Sequence, residues 1–178
     1  MNEQEWLTCT DPQLMLDFMF ERTSRRKIEL YTSGSYRLVW HLLPDERFRN
    51  KMDVRERYFD GVATEEEFCA AIKAGDEVPH HLFMKAWDSI PSQSQVLLLH
   101  DLFGNPFRPI TLDPSWLTCT VVSLAQVVYD ERKFDQLPIL ADALEEAGCN
   151  NAEILNHCRG PGPHSRGCWA VDAILGKG

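Results

Sequence analysis

Apolar side chains recur at helical spacing along nearly the whole chain, and this periodicity restricts the fold more than any other feature. Between Ile28 and Leu42, apolar or small residues fall three or four positions apart, as one buried face of an α-helix requires. Alternating apolar and polar residues, the pattern of half-buried β-strands, are nearly absent. We therefore predict an all-α fold, a multi-helix globular bundle.

Capping residues and helix breakers divide this periodicity into separate segments. An aspartate followed by proline is a strong helix start, because proline fits the first helical turn, and it occurs at Asp11–Pro12 and Asp113–Pro114. Ser24 is a further N-cap, and Thr64 begins a capping box with Glu67. The predicted helix ends are Pro44, Gly75 and Gly104. Three short helices are predicted near the C-terminus, over 138–148, 151–160 and 165–175.

The weakest helical pattern lies between residues 76 and 91, where two prolines and two adjacent histidines interrupt the apolar spacing. We predict one α-helical domain over residues 1–178. The alternative organisation is two packed helical lobes, 1–75 and 91–178, joined by residues 76–90.

Charge and composition limit the partners and the location. The formal net charge is −9, whereas nucleic acids and anionic membranes bind cationic surfaces. The chain has no apolar run of about 18 residues and begins with an acidic segment rather than a secretory signal. Its six cysteines are therefore expected to be reduced. We predict a cytoplasmic protein that binds neither nucleic acid nor membrane.

Thiols, imidazoles and guanidiniums concentrate in residues 157–172, around a Gly-Pro-Gly-Pro turn. The candidate ligands for zinc are His157, Cys158, His164 and Cys168, because zinc prefers cysteine and histidine. However, the segment has no Cys-x-x-Cys pair, and adjacent side chains on a helix point about 100° apart. We expect no cofactor, with zinc as the alternative.

A nucleophilic thiol is a second chemical interpretation of this segment. If the last helix begins near residue 165, Cys168 lies in its first turn, where the helix dipole lowers a thiol pKa. His157 or His164 would be the base and Asp172 its orienting partner. A metal-dependent or cysteine-dependent enzyme is thus the alternative function. Weaker acid–base candidates are the pairs His80–His81 and His100–Asp101.

The function that we predict from the residues is a non-enzymatic protein-interaction or regulatory module with an unknown protein partner. Its surface would consist of Arg108, Arg159, His164 and Arg166. Guanidiniums held beside glycine and proline are typical of interaction surfaces and anion sites. The simpler alternative is that Arg159 and Arg166 pair with acidic residues of the preceding helix. Those residues are Asp142, Glu145 and Glu146.

Three blocks of the sequence carry a family resemblance. They are Trp-Leu-Thr-Cys-Thr-Asp-Pro at 6–12, Phe-Gly-Asn-Pro-Phe-Arg-Pro at 103–109, and the segment His157 to Asp172. With them, nearly the whole chain resembles an uncharacterised paralogous family of planctomycete proteins that has no established activity. Members of that family often carry Ala-Cys-Ala-Cys-Cys where this chain has Thr-Ser-Gly-Ser-Tyr at 32–36. The resemblance implies that a metal site using those thiols would be incomplete here.

Overall fold

The computed structural model describes residues 1–43 and 45–177, and these contain eleven α-helices and no β-strand. The all-α prediction is therefore confirmed. The helices are α1 Glu3–Thr8, α2 Pro12–Phe20, α3 Arg25–Leu38, α4 Glu46–Phe59, α5 Glu65–Asp76, α6 His80–Asp88, α7 Ser92–Phe103, α8 Cys119–Glu131, α9 Leu137–Glu146, α10 Ala152–Arg159 and α11 Trp169–Leu175. No helix in the described ranges combines the length and apolarity needed to cross a membrane.

Local capping chemistry determines where several helices begin. The Asp11 carboxylate accepts hydrogen bonds from the backbone N–H groups of Gln13 and Leu14 at the start of α2. Thr64 and Glu67 form the predicted capping box before α5. These predicted starts are confirmed because each depends on residues within one helical turn. The predicted helix end at Pro44 lies outside the described residues.

Two other boundaries differ from the predictions. Asp113 caps only a short 3₁₀ turn over Pro114–Trp116, and α8 begins later, after Thr118. The Thr118 hydroxyl accepts a hydrogen bond from Val121 N, which makes it the effective cap. The last helix begins at Trp169 rather than at 165, since Gly167 has a φ of 88° that interrupts the helical backbone.

The segment predicted as a joint, residues 76–90, contains helix α6. By their internal packing the residues form two compact units. One unit is Cys9–Leu99. The other, here called the C-terminal unit, is the chain from His100 onwards together with Met1–Thr8. This grouping differs from the lobes 1–75 and 91–178. Helix α1 belongs with the C-terminal part because Trp6 is 0% exposed and donates its indole N–H to Gly104 O at 2.9 Å.

Within the unit Cys9–Leu99, aromatic rings form much of the core. Tyr36 contacts both Phe48 and Trp87, with ring centroids 5.0 and 5.3 Å apart, respectively. Arg26 pairs with Asp60 at 2.9 Å, and the Asp60 side chain is only 1% exposed. A nearly buried carboxylate of this unit is thus paired with a guanidinium.

The C-terminal unit has an aliphatic core built by helices α8 to α11. Its fully buried leucines lie on one face of α9, and the thiols of Cys149, Cys158 and Cys168 are buried in the same cluster. The leucines are Leu137, Leu140 and Leu144. This core holds the end of α10 and the start of α11 in fixed positions, and the candidate site lies there.

Candidate metal centre

Four side chains from separate parts of the C-terminal unit meet at one point. They are Asp101, His157, His164 and Cys168, and one potential ligand atom of each lies within 4.8 Å of all the others. Asp101 belongs to the last turn of α7, and His157 to the last turn of α10. His164 follows the Gly-Pro-Gly-Pro turn, and Cys168 immediately precedes α11.

The shortest distances involve the two imidazoles. His164 Nδ1 lies 2.7 Å from Asp101 Oδ1, and His157 Nε2 lies 3.3 Å from the same oxygen. His157 Nε2 also lies 3.1 Å from Cys168 Sγ. A single nitrogen of His157 therefore faces both the carboxylate and the sulfur.

The turn that carries His164 depends on a glycine. Gly162 has a φ of +77°, which L side chains rarely adopt. A Cβ atom there would lie 3.0 Å from the backbone nitrogen of His164 and 3.1 Å from its ring carbon Cδ2. Glycine thus allows the chain to fold back closely enough to bring His164 to Asp101.

Asp101 is the best-anchored member of the group. Its carboxylate is 2% exposed and accepts hydrogen bonds from Ser165 N at 2.9 Å and Ser165 Oγ at 3.2 Å. Burial opposes ionisation, but the hydrogen bonds and charges of His157 and His164 outweigh it, so the pKa of Asp101 lies below its ordinary value. The carboxylate is therefore a buried anion.

The second ring nitrogen of His164, Nε2, also has a hydrogen-bond partner. Nε2 lies 3.3 Å from the carbonyl oxygen of Gly160, an acceptor, so this nitrogen carries a proton and donates. Burial lowers the pKa of His164, but Asp101 and the Gly160 carbonyl raise it more, and the net pKa is above the ordinary value. An outer carbonyl that fixes the proton on one nitrogen is a common support for a histidine ligand, since it directs the other nitrogen inward.

The thiol of Cys168 is fully enclosed. Its burial, reinforced by the Asp101 charge, raises its pKa well above the ordinary value, although the backbone N–H groups of Ala170 and Val171 act in the opposite direction. The prediction of an activated thiol in the first turn of a helix is therefore wrong. Cys168 precedes the helix, and the cost of burying a thiolate exceeds the benefit of the nearby N–H groups.

The geometry also differs from that of a cysteine hydrolase. A catalytic histidine uses one nitrogen for the nucleophile and the other for the orienting carboxylate. Here Cys168 and Asp101 both face Nε2 of His157. The predicted partner Asp172 is not in the group of four ligand candidates found among the described residues.

Of the four predicted zinc ligands, the structure brings together His157, His164 and Cys168. Cys158 is 0% exposed and packs in the core instead, because it follows His157 directly on α10 and points elsewhere. Burial raises the pKa of Cys158 to about 12. The fourth donor is Asp101, which the sequence marked only as an isolated acid–base candidate. The feature of the sequence that could have indicated Asp101 is an aspartate among the apolar residues of α7.

The guanidiniums of the predicted interaction surface contact groups within the same unit. Arg159 pairs with both Asp142 and Glu145 at 2.7 Å, which confirms the simpler alternative for this residue. Arg166 instead donates to the backbone carbonyl oxygens of Tyr129 and Asp130. Arg108 pairs with Glu3 at 2.6 Å. Binding of a protein partner by these arginines stays a prediction.

A cavity of about 530 Å³ lies beside the centre, and His157 forms part of its wall. The remaining lining is largely apolar, and Trp169 contributes its indole ring, whose centroid is 4.9 Å from that of His157. The other three members of the centre do not line this cavity. The four donors thus form a buried group with one histidine facing open space.

The chain matches no model of a protein family, no curated protein and no solved structure. The resemblance to the planctomycete family therefore stays a prediction.

Proposed function

We propose that the protein binds a divalent ion of the zinc type through Asp101, His157, His164 and Cys168. The observation that carries this proposal is the approach of a carboxylate oxygen and a sulfur to the same nitrogen of His157. A single N–H cannot serve both partners well, whereas a cation between them would be bound by all three. His164 Nδ1 completes a set of four donors around such a cation.

The chemistry of the four donors suits zinc. Imidazole nitrogen, thiolate sulfur and carboxylate oxygen are the three kinds of ligand that zinc uses in proteins. One carboxylate and one thiolate balance the two positive charges of the ion, and the histidines remain neutral. A buried centre with no net charge avoids the desolvation cost that an unbalanced charge would impose. Metal binding would also displace the proton of the Cys168 thiol.

The distances need little adjustment to form a tetrahedral site. Zinc–ligand bonds of about 2.0–2.3 Å at tetrahedral angles place neighbouring ligand atoms about 3.3–3.8 Å apart. The three contacts of the centre measure 2.7, 3.1 and 3.3 Å, and all four atoms lie within 4.8 Å of one another. Movements of less than about 1 Å, within the reach of side-chain rotation, would complete the coordination sphere.

The burial of the donors favours a structural ion over one that carries an exchangeable water. Four protein ligands close a tetrahedral site, whereas catalytic zinc keeps one position open. The ion would join the end of α7 to α10 and the segment before α11, which are distant from α7 in sequence. Its binding energy would then contribute directly to the stability of the C-terminal unit.

Metal analysis of paired cysteine variants tests this proposal. Protein produced with zinc should retain about one ion per chain, and a cobalt-substituted sample should display the charge-transfer absorption of a thiolate ligand. Cys168→Ser should lose that absorption and most of the metal. Cys158→Ser is the matched control, because it alters an equally buried thiol outside the centre and should retain both.

Stability measurements give a second readout. Free zinc at about 100 times its Kd should raise the free energy of unfolding by about 2.7 kcal/mol in the wild type and the Cys158→Ser variant. Zinc that leaves the unfolding of wild-type protein unchanged would contradict the proposal. Equal loss of metal from both cysteine variants would do the same.

We further propose that the protein belongs to the planctomycete family and works in the reducing cytoplasm. All six cysteines are free thiols, which supports that location, since disulfides are rare there. The action of the protein as an interaction or regulatory module stays a prediction. A metal-stabilised domain is compatible with it, and a pull-down with Arg108→Ala, Arg159→Ala and Arg166→Ala variants tests it.

A further inference from the structure

The cavity beside the metal centre has the size and lining of a small-molecule site. Its volume of about 530 Å³ falls within the range of about 300–1,000 Å³ that is typical of ligand pockets. Phe103, Ile110 and Trp169 supply apolar walls, and His100 and Asn156 add polar groups. All of these residues belong to the C-terminal unit.

The aromatic wall of this cavity is held in place. A Cβ atom at position 104 would lie 3.1 Å from the Trp169 ring, so Gly104, with a φ of +59°, allows the indole to pack against the backbone. The carbonyl of Gly104 accepts the indole hydrogen bond of Trp6. His157 also contacts the Trp169 ring, with the ring centroids 4.9 Å apart. A ligand would therefore meet a preformed surface, which reduces the entropic cost of binding.

The charges on the lining favour a cation. Arg108 is the arginine of the lining, and its guanidinium is paired with the Glu3 carboxylate at 2.6 Å. Glu153 also lines the cavity, and its exposed carboxylate has no ion-pair partner in the described parts of the chain. The indole face of Trp169 attracts cations as well, through its quadrupole. The surplus charge of this site is thus negative.

We propose that the cavity binds a small primary amine with an aromatic or branched apolar body. The body packs against Phe103, Ile110 and Trp169, and the ammonium group lies near the Glu153 carboxylate. This inference rests on the lining of the cavity and not on the presence of a metal ion.

Titration with phenethylamine tests the proposal, and 3-phenylpropanoate is the control compound with a similar body and the opposite charge. NMR spectra should reveal saturable shifts of the Trp169 indole N–H signal with the amine, and much smaller ones with the acid. Trp169→Phe identifies that signal by its disappearance. Running the titration on zinc-loaded and on chelator-treated protein separates failure of this site from failure of the metal centre.

Glu153→Gln should weaken phenethylamine binding about two- to fivefold, as expected for the loss of one exposed ionic contact. Glu146→Gln is the matched control, since it removes an exposed carboxylate of α9 that does not line the cavity, and it should leave the affinity unchanged. Absence of saturable amine binding in both preparations would overturn the proposal. Binding of the acid as tightly as the amine, or unchanged affinity in Glu153→Gln, would also overturn it.

Discussion

The substitution Asp101→Ala should destabilise the C-terminal unit strongly even when no metal is present. The Asp101 carboxylate is 2% exposed, accepts two hydrogen bonds from Ser165 and contacts His164 at 2.7 Å. Water cannot readily replace it as acceptor at this depth. Hydrogen bonds to a charged group contribute about 1.5–3 kcal/mol each, so losing the two from Ser165 should cost about 3–6 kcal/mol. This is a large part of the roughly 5–15 kcal/mol that stabilises a typical domain.

Asp101→Asn provides an internal comparison. The amide oxygen of asparagine can still accept from Ser165, while the negative charge beside the two histidines is lost. We expect a cost of about 1–3 kcal/mol, smaller than that of alanine. Asp142→Ala is the surface control. Its carboxylate is exposed and pairs with Arg159, so its removal should cost less than about 1 kcal/mol.

The measurement is urea-induced unfolding followed by far-ultraviolet circular dichroism, with a chelator in every sample. The order of destabilisation should be Asp101→Ala, then Asp101→Asn, then Asp142→Ala. An Asp101→Ala variant within about 1 kcal/mol of wild type would refute the reasoning, because the buried carboxylate would then contribute no more than an exposed one.

Two further predictions concern the turn and the thiols. Gly162→Ala should destabilise the protein by more than Gly61→Ala in thermal unfolding. Both glycines have a positive φ, which costs alanine about 1–2 kcal/mol of strain, but of the two only Gly162 has close neighbours. Equal effects would contradict the role assigned to that close approach. At neutral pH a thiol reagent should label the exposed Cys69 and Cys119 in the folded protein and leave Cys168 unmodified until unfolding. Preferential labelling of Cys168, read by peptide mass spectrometry, would restore the nucleophile hypothesis.

Much of the helical architecture could be predicted from the sequence because its signals are local. The cap at Asp11 and the capping box at Thr64 act on N–H groups two or three residues away. The start of a helix is predicted wrongly where two capping residues lie close together in the sequence. Asp113 has the same Asp–Pro pattern as Asp11, yet the cap at Thr118 determines the start of α8.

The candidate site likewise has a part that could be predicted from the sequence and a part that could not. The sequence alone identified the segment of residues 157–172 as chemically rich, and it placed His157, His164 and Cys168, together with Cys158, among the candidate ligands, because residues near in sequence around a turn stay near in space. It did not place Asp101 in this group, because that residue lies 63 positions before His164. Only tertiary packing decides which buried side chain meets that turn: the last turn of α7 belongs to the same unit as α10 and α11, and their arrangement depends on contacts between residues far apart in the chain.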